Sequence, residues 1–304
     1  MPGSILAKSV PSLQSTQYGA SSITDDSFDK VWRWVHFTTE SGLPSNDVLD
    51  IFESADHTVW ASTSLGTAWY DGFQWITIFP QPCILTGNYL NGILLRAGTE
   101  GESLYYCSKQ SVELLQTNIQ AAVPLSGDSV LVLKRGKLLC LRYNPAHTIT
   151  PFPAPPTNNF SYLIKTKNNT VWISNSTSLY RWDGNAWKFF STSSMPIGAH
   201  GMGMGKTFEQ NSNGTGIYFS LFDNPERGLW EWNTFSPPKR IVTEKPEPAL
   251  SLDINSNDDA IVIYRTDNIR LRTHFVWSTL SLNFIGVNNL HMGLFLANGD
   301  IVCF

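Results

Sequence analysis

The chain has 304 residues, 42% of them hydrophobic and only 15% charged, with 11 Trp, 17 Phe and 10 Tyr. That aromatic load on few charges fits a globular, β-rich chain. A net charge of -4, with 21 basic against 25 acidic residues and no Lys/Arg run, argues against a nucleic-acid partner. No stretch approaches the roughly 18 apolar residues of a membrane span, and the start lacks a basic region followed by an apolar core. The expectation is a soluble chain, with any targeting part of a secreted or attached parent lying elsewhere.

Residues 1–21 read as a polar N-terminal segment rich in Ser and Thr, and residues 22–304 as one domain. The first clear unit runs through Val59-Trp60, Trp69-Tyr70-Asp71-Gly72 and Trp75, and its elements return at Val171-Trp172, Tyr180, Asp183-Gly184 and Trp187. Trp60 and Trp172 lie 112 residues apart, about three periods of 37. Short apolar runs centred near Trp60, Leu95, Val132, Trp172, Tyr218, Val262 and Val302 predict seven second strands. Third strands follow six of them, around Trp69, Tyr105, Leu139, Tyr180, Trp230 and Leu271, as a meander with polar or Gly turns requires.

After Phe304 the seventh unit is half a blade short. Val31–Phe37 matches the outer strand Trp187–Phe190, and Ser22–Thr24 offers a third strand. The expectation is an all-β, seven-bladed β-propeller of four-stranded antiparallel blades. Its last blade would be shared between about 22–37 and 286–304, with Val31–Phe37 paired beside Asp300–Phe304. Helix should be scarce, because no segment sustains a 3.6-residue apolar period. Pro-rich pieces such as Pro151–Pro156 and Lys245–Pro248 read as linkers within the ring.

Residues His36–Phe79 carry a family resemblance through Gly42-Leu43-Pro44-Ser45-Asn46, Val48, Ile51, Val59-Trp60, Tyr70-Asp71-Gly72 and Trp75. In that order across about 40 residues they resemble the two-component regulator propeller repeat. Phe160–Phe190 keeps the Trp, Tyr, Asp-Gly and Trp positions without the Gly-Leu-Pro segment. The first unit departs from the repeat at Leu65-Gly66-Thr67-Ala68-Trp69, where a Gly-Leu pair before the Tyr is usual. The resemblance implies a non-enzymatic sensory propeller outside the cytoplasm, whose output domain would sit on a longer parent chain. None of the family's output domains is in this sequence.

Trp60 and Trp172, at equivalent strand positions, read as wedges between blades. Asp71-Gly72 and Asp183-Gly184 read as two-residue hairpin turns that need positive φ, without a metal. Cys83, Cys107, Cys140 and Cys303 show no C-x-x-C spacing, and an even count leaves disulfides open. The six histidines form no i, i+4 metal pair, and no motif calls for a cofactor. Gly201–Thr207 lacks the leading Gly of a phosphate loop, whose place holds His200, and reads as a Gly-rich connection over a channel mouth. Ser54-Ala55-Asp56 before Val59-Trp60 resembles a sialidase Asp-box, one residue short and without its Gly.

Arg96, Lys134, Arg135, Arg227 and Arg265 fall just after, or in the loop following, the second strands of units two, three, five and six, with His200 in a neighbouring connection. Equivalent positions in a ring converge on one face, so these predict a cationic mouth for a small anionic ligand or glycan. The alternatives are a propeller enzyme acting on glycans or as a lyase, which needs a His base beside a carboxylate, and a structural interaction disc.

Overall fold

The computed structural model describes residues 5–8, 34–98, 102–143, 147–157, 160, 162–175, 178–190, 207–221, 228–233, 236, 238–241, 247, 249–264, 268–273, 276–281, 290–298 and 300–304. Two strands, β1 (Ile5–Lys8) and β2 (Trp34–Phe37), precede the first full blade. Blade 1 holds β3 (Val48–Glu53), β4 (Val59–Thr63), β5 (Gly66–Tyr70) and β6 (Trp75–Phe79). Blade 2 holds β7 (Ile84–Tyr89), β8 (Gly92–Ala97), β9 (Glu102–Cys107) and β10 (Val112–Ile119). Blade 3 holds β11 (Ala121–Ser126), β12 (Ser129–Lys134), β13 (Lys137–Arg142) and β14 (Thr148–Pro151). Blade 4 holds β15 (Tyr162–Lys165), β16 (Val171–Ser174), β17 (Leu179–Trp182) and β18 (Trp187–Phe190). Blade 5 holds β19 (Phe208–Gln210), β20 (Gly216–Leu221), β21 (Gly228–Asn233) and β22 (Lys239–Arg240). Blade 6 holds β23 (Ala249–Ile254), β24 (Ala260–Tyr264), β25 (Asn268–Thr273) and β26 (Val276–Ser281), and β27 (Gly293–Phe295) and β28 (Ile301–Cys303) follow.

The seven-bladed expectation is corrected by this topology. Consecutive strands build six blades, and the remaining four-stranded sheet is a composite in the order β2-β1-β28-β27. Its pairing also differs from the expected one. The strand beside Ile301–Cys303 is β1, with Leu6 opposite Cys303 and Ala7 opposite Val302, while Trp34–Phe37 pairs on the far side of β1. The described part of the expected strand, Trp34–Phe37, therefore does not lie beside Asp300–Phe304, and Ile5–Lys8 belongs to the sheet although it falls within the segment read as lying outside the domain. The three apolar residues Ile5, Leu6 and Ala7, set in a polar stretch, are too short a run to read as a strand without their partners. Ser22–Thr24 lies outside the described residues.

A central position between two ladders makes β1 sensitive to lost N–H groups. Ala7→Pro removes a donor where the strand is flanked on both sides, and is expected to lower stability by about 2 kcal/mol in urea titration. Ala7→Gly, which keeps the N–H, is the control and should cost no more than about 1 kcal/mol.

First strands of successive blades touch one another, β3 with β7, β7 with β11, β11 with β15, β19 with β23 and β23 with β27, which places them around the axis. Being innermost, each exposes an unpaired edge of N–H groups that need acceptors. The preceding blade supplies several. Ser62 Oγ accepts from the Cys83 N–H (3.0 Å), Asp50 Oδ2 from Leu85 (2.9 Å), Ser220 Oγ from Ala249 (2.9 Å) and Asp253 Oδ2 from Phe295 (2.7 Å). Small polar and acidic side chains are buried in this β core because they close the ring.

Apolar packing does the rest. Trp60 is buried against Phe79, Cys83, Ile93 and Leu95, so it reaches from blade 1 into blade 2. Trp172, fully buried, meets Phe208, Phe219 and Trp230 of blade 5. A buried indole of about 200 Å² contributes roughly 5 kcal/mol gross at ~25 cal/mol per Å². Within the first blade, Gly42 adopts φ 94°, and a Cβ there would strike the Trp75 carbonyl oxygen. This contact seats Leu43 in the core beside Trp75 and explains why the segment reads Gly-Leu-Pro. Among the described residues the one helical turn is a 3-10 turn at Thr39–Ser41. All four cysteines are buried and none forms a disulfide, and burial pushes the Cys107 and Cys303 thiols up to about 12.

Candidate functional site in the central channel

The first strands surround a cavity of about 430 Å³ to which all six blades and the closing sheet contribute. Its charged lining comprises Asp50, Glu53, Arg96, Lys165, Lys167, Glu209 and Asp253. Seven charges around one small lumen need an electrostatic account, since desolvated charges are costly unless paired or neutralised.

The densest part lies where β15, β19 and β23 end. Lys167, in the turn after β15, places Nζ 2.6 Å from Asp253 Oδ2 and 3.2 Å from the Phe295 carbonyl oxygen. Its backbone N–H donates to Glu209 Oε2 at 3.1 Å. Burial raises the Asp253 carboxyl, and the Lys167 ammonium and the Phe295 N–H, both donating to it, work against that rise. Glu209 opens partly onto the lumen yet is ringed by protein. Burial and then the neighbouring Asp253 charge push its carboxyl up to about 8. It is therefore protonated at neutral pH and able to donate a hydrogen bond. Lys165, the last residue of β15, has its ammonium pulled down by burial, and no hydrogen bond or ion pair joins it to the described residues. The lumen thus holds a buried Lys167–Asp253 pair, a neutral carboxylic acid and a cation that stands apart from them.

Arg96 lines the same cavity nearer the opposite mouth. It is committed to Glu102 (2.5 Å) and to the Gln120 carbonyl oxygen (2.9 Å). Lys134 instead donates to Gln116 Oε1 of blade 2's outermost strand (2.6 Å), and Arg135 is exposed in the β12–β13 hairpin. Among Arg96, Lys134 and Arg135, only Arg96 lines the channel. Arg227, Arg265 and His200 lie outside the described residues, as does most of Gly201–Thr207. None of His36, His57, His147 and His291 lines the cavity.

The Asp-Gly pairs lie between third and fourth strands, away from the axis. Asp71 N–H donates to Gln74 C=O across Gly72 and Phe73, and Asp183 N–H to Ala186 C=O across Gly184 and Asn185. Gly72 and Gly184 take φ 102° and 99°. Each Asp carboxylate accepts two backbone N–H groups, Phe73 and Gln74 or Asn185 and Ala186, which holds it below the usual carboxylate range. A second recurring turn joins first and second strands. Ser54 Oγ donates to Asp56 and to the Thr58 carbonyl while accepting from Trp60 Nε1, and Thr166 repeats the first two contacts with Asn168 and Thr170. His57 and Asn169 take the left-handed conformation at φ 63° and 66°. The Asp-box-like residues are thus a structural turn.

Sequence reasoning missed Lys165, Lys167, Glu209 and Asp253. A usable signal exists, because Glu209 and Asp253 each stand two residues before the Asn that opens the turn in their blade, Asn211 and Asn255. Aligning first strands brings two carboxylates into register in adjacent blades.

Fold and lumen define a β-propeller with a charged, ligand-sized central channel. No family profile matches the chain, and no curated protein matches it. Solved structures do. A streptogramin B lyase superposes with TM-score 0.62 at 11% identity, over 86% of this chain and 94% of that one. A catalytically inactive virginiamycin B lyase from Staphylococcus aureus gives 0.57 at 10% identity over 84% and 94%. The extracellular domain of a protein assigned to the hybrid two-component systems of B. thetaiotaomicron gives 0.54 at 14% identity over 84% of this chain, which spans 36% of that one. At these identities the likeness is one of fold.

Proposed function

We propose that this propeller is a ligand-recognition module, the sensory part of a signalling protein, and that it holds a small carboxylate or acidic saccharide in its central channel. The observation that carries this reading is Lys165, a half-buried cation whose ammonium has no hydrogen-bond or ion-pair partner among the described residues, in the same lumen as Glu209, whose carboxyl burial pushes up to about 8. An ammonium and a carboxylic acid both donate, and a planar acid accepts from both. The resemblance of His36–Phe79 to the two-component regulator repeat and the fold shared with a two-component extracellular domain support the signalling role. They also support an extracytoplasmic setting and an output domain on a longer parent chain.

The test is a thermal-shift screen at pH 6 against monocarboxylates, uronic acids and their neutral sugar counterparts. Acids alone should raise the melting temperature, and Lys165→Met should weaken the best acid at least tenfold. Equal shifts from neutral sugars would remove the anionic ligand class. A second reading, a lyase or glycan-active enzyme, is favoured by the raised Glu209 carboxyl beside the Asp253 carboxylate, an acid and base pair in kind. Turnover of a hit that disappears in Glu209→Gln while binding persists would select it.

A further inference from the structure

A second cavity, of about 480 Å³, opens between the closing sheet and blade 1 and shares the lining residue Glu53 with the channel. Three aromatic rings line it. Phe37 of β2 stands edge-on to Tyr70 at 5.0 Å and to Trp75 at 5.8 Å, and Tyr70 and Trp75 are 5.3 Å apart. The same cleft carries two carboxylates, Glu53 and Asp300, and neither Lys nor Arg is among its described lining residues. Hydrogen bonds fix both acids in place. Glu53 accepts from the Ala297 N–H (2.7 Å) and faces His57 Nδ1 (3.1 Å), while Asp300 accepts from Asn298 Nδ2 (2.8 Å). Within the cleft wall, the Trp75 indole N–H is buried with no partner among the described residues.

Aromatic faces present negative quadrupole potential, and carboxylates at the same cavity add net negative charge. Neutral apolar ligands gain nothing from the acids, and anions are repelled by them. The complementary guest is a small organic cation with an apolar shell, an alkyl- or quaternary ammonium. We infer that this cleft is a binding site for such an ammonium compound, an inference that does not rest on the reading given for the channel.

Isothermal titration of the whole chain with choline, tetramethylammonium and 3,3-dimethylbutanol, the neutral isostere of choline, tests this directly. Choline is expected to bind at least tenfold more tightly than the isostere and to perturb Trp fluorescence. Tyr70→Leu and Asp300→Asn should each weaken choline about tenfold, Tyr70→Phe should not, and unchanged far-UV circular dichroism shows that each variant folds. Lys165→Met, in the channel, should leave choline binding unaltered. Equal binding of the isostere, indifference to both Tyr70→Leu and Asp300→Asn, or no choline binding up to about 10 mM overturns the assignment.

Discussion

Replacing Arg272 by Ala is expected to destabilise the propeller by about 3 kcal/mol, read as a lower urea midpoint at unchanged slope. Arg272 is an interior residue of blade 6 that faces blade 5 and is only 4% exposed. Its guanidinium donates to the Tyr218 hydroxyl (2.6 Å) and to the Asp258 carbonyl oxygen (2.7 Å), and it stacks on the Tyr218 and Trp277 rings at 4.6 and 5.5 Å. Tyr218 in turn donates to Glu231 (2.8 Å), which pairs with Lys239 (3.3 Å). The chain therefore runs from β24–β25 territory across the blade interface to the outer strand of blade 5. Truncation removes two charged hydrogen bonds and two cation–π contacts, and leaves the Tyr218 oxygen without its donor. Arg272→Lys keeps the charge but loses the planar fork, so an intermediate loss is expected. A double-mutant cycle with Tyr218→Phe should give a coupling of at least 1 kcal/mol. Additive losses would mean that the two side chains stabilise the interface independently.

Most of the architecture was legible because propeller strands repeat. The second and third strands carry the long apolar runs, and each predicted centre, Trp60 through Val302, falls inside a strand. Closure was less legible, since β1 is a four-residue strand whose identity depends on partners some 295 residues away in sequence. The channel was hardest. First strands are short and mixed in polarity, their side chains serving partly as acceptors for the next blade's edge, so Asp50 and Asp253 look like ordinary strand polar residues. The expected cationic mouth rested on equivalent positions after second strands, and equivalence fixes which face a residue lies near but not its radius from the axis. Arg96 lies inward, whereas Lys134 turns toward an outer strand of the neighbouring blade.

Glu209 makes stability fall with rising pH in a window set by its own titration. Its carboxyl ordinarily ionises near 4.5 and in the folded chain is held up to about 8. Between these values the unfolded chain has released the proton and the folded chain retains it. Stability is therefore full below about pH 4.5 and is lost as pH climbs through about 8. Asp253 in β23 has its own carboxyl raised, which adds a loss of the same sign at its own titration, while Lys167 above it opposes ionisation cost in both acids. Asp56, Asp71 and Asp183, held below the usual carboxylate range, act in the opposite sense and only at more acid pH. For Asp56 the lowering comes against burial, through Lys109, Ser54 and Thr58. Glu209→Gln keeps an oxygen for the Lys167 N–H but cannot ionise. It should match the parent near pH 4 and exceed it at pH 9 by on the order of 3 kcal/mol, less than the full shift implies because Glu209 opens onto the lumen. Urea midpoints at the two pH values read this difference, and parallel pH profiles would show that Glu209 ionises freely. The same proton bears on recognition. Above pH 8 the lumen loses a donor and gains a negative charge beside Asp253, so an acidic ligand bound at Lys165 should weaken at least tenfold between pH 6 and 9 in the parent, and much less in Glu209→Gln.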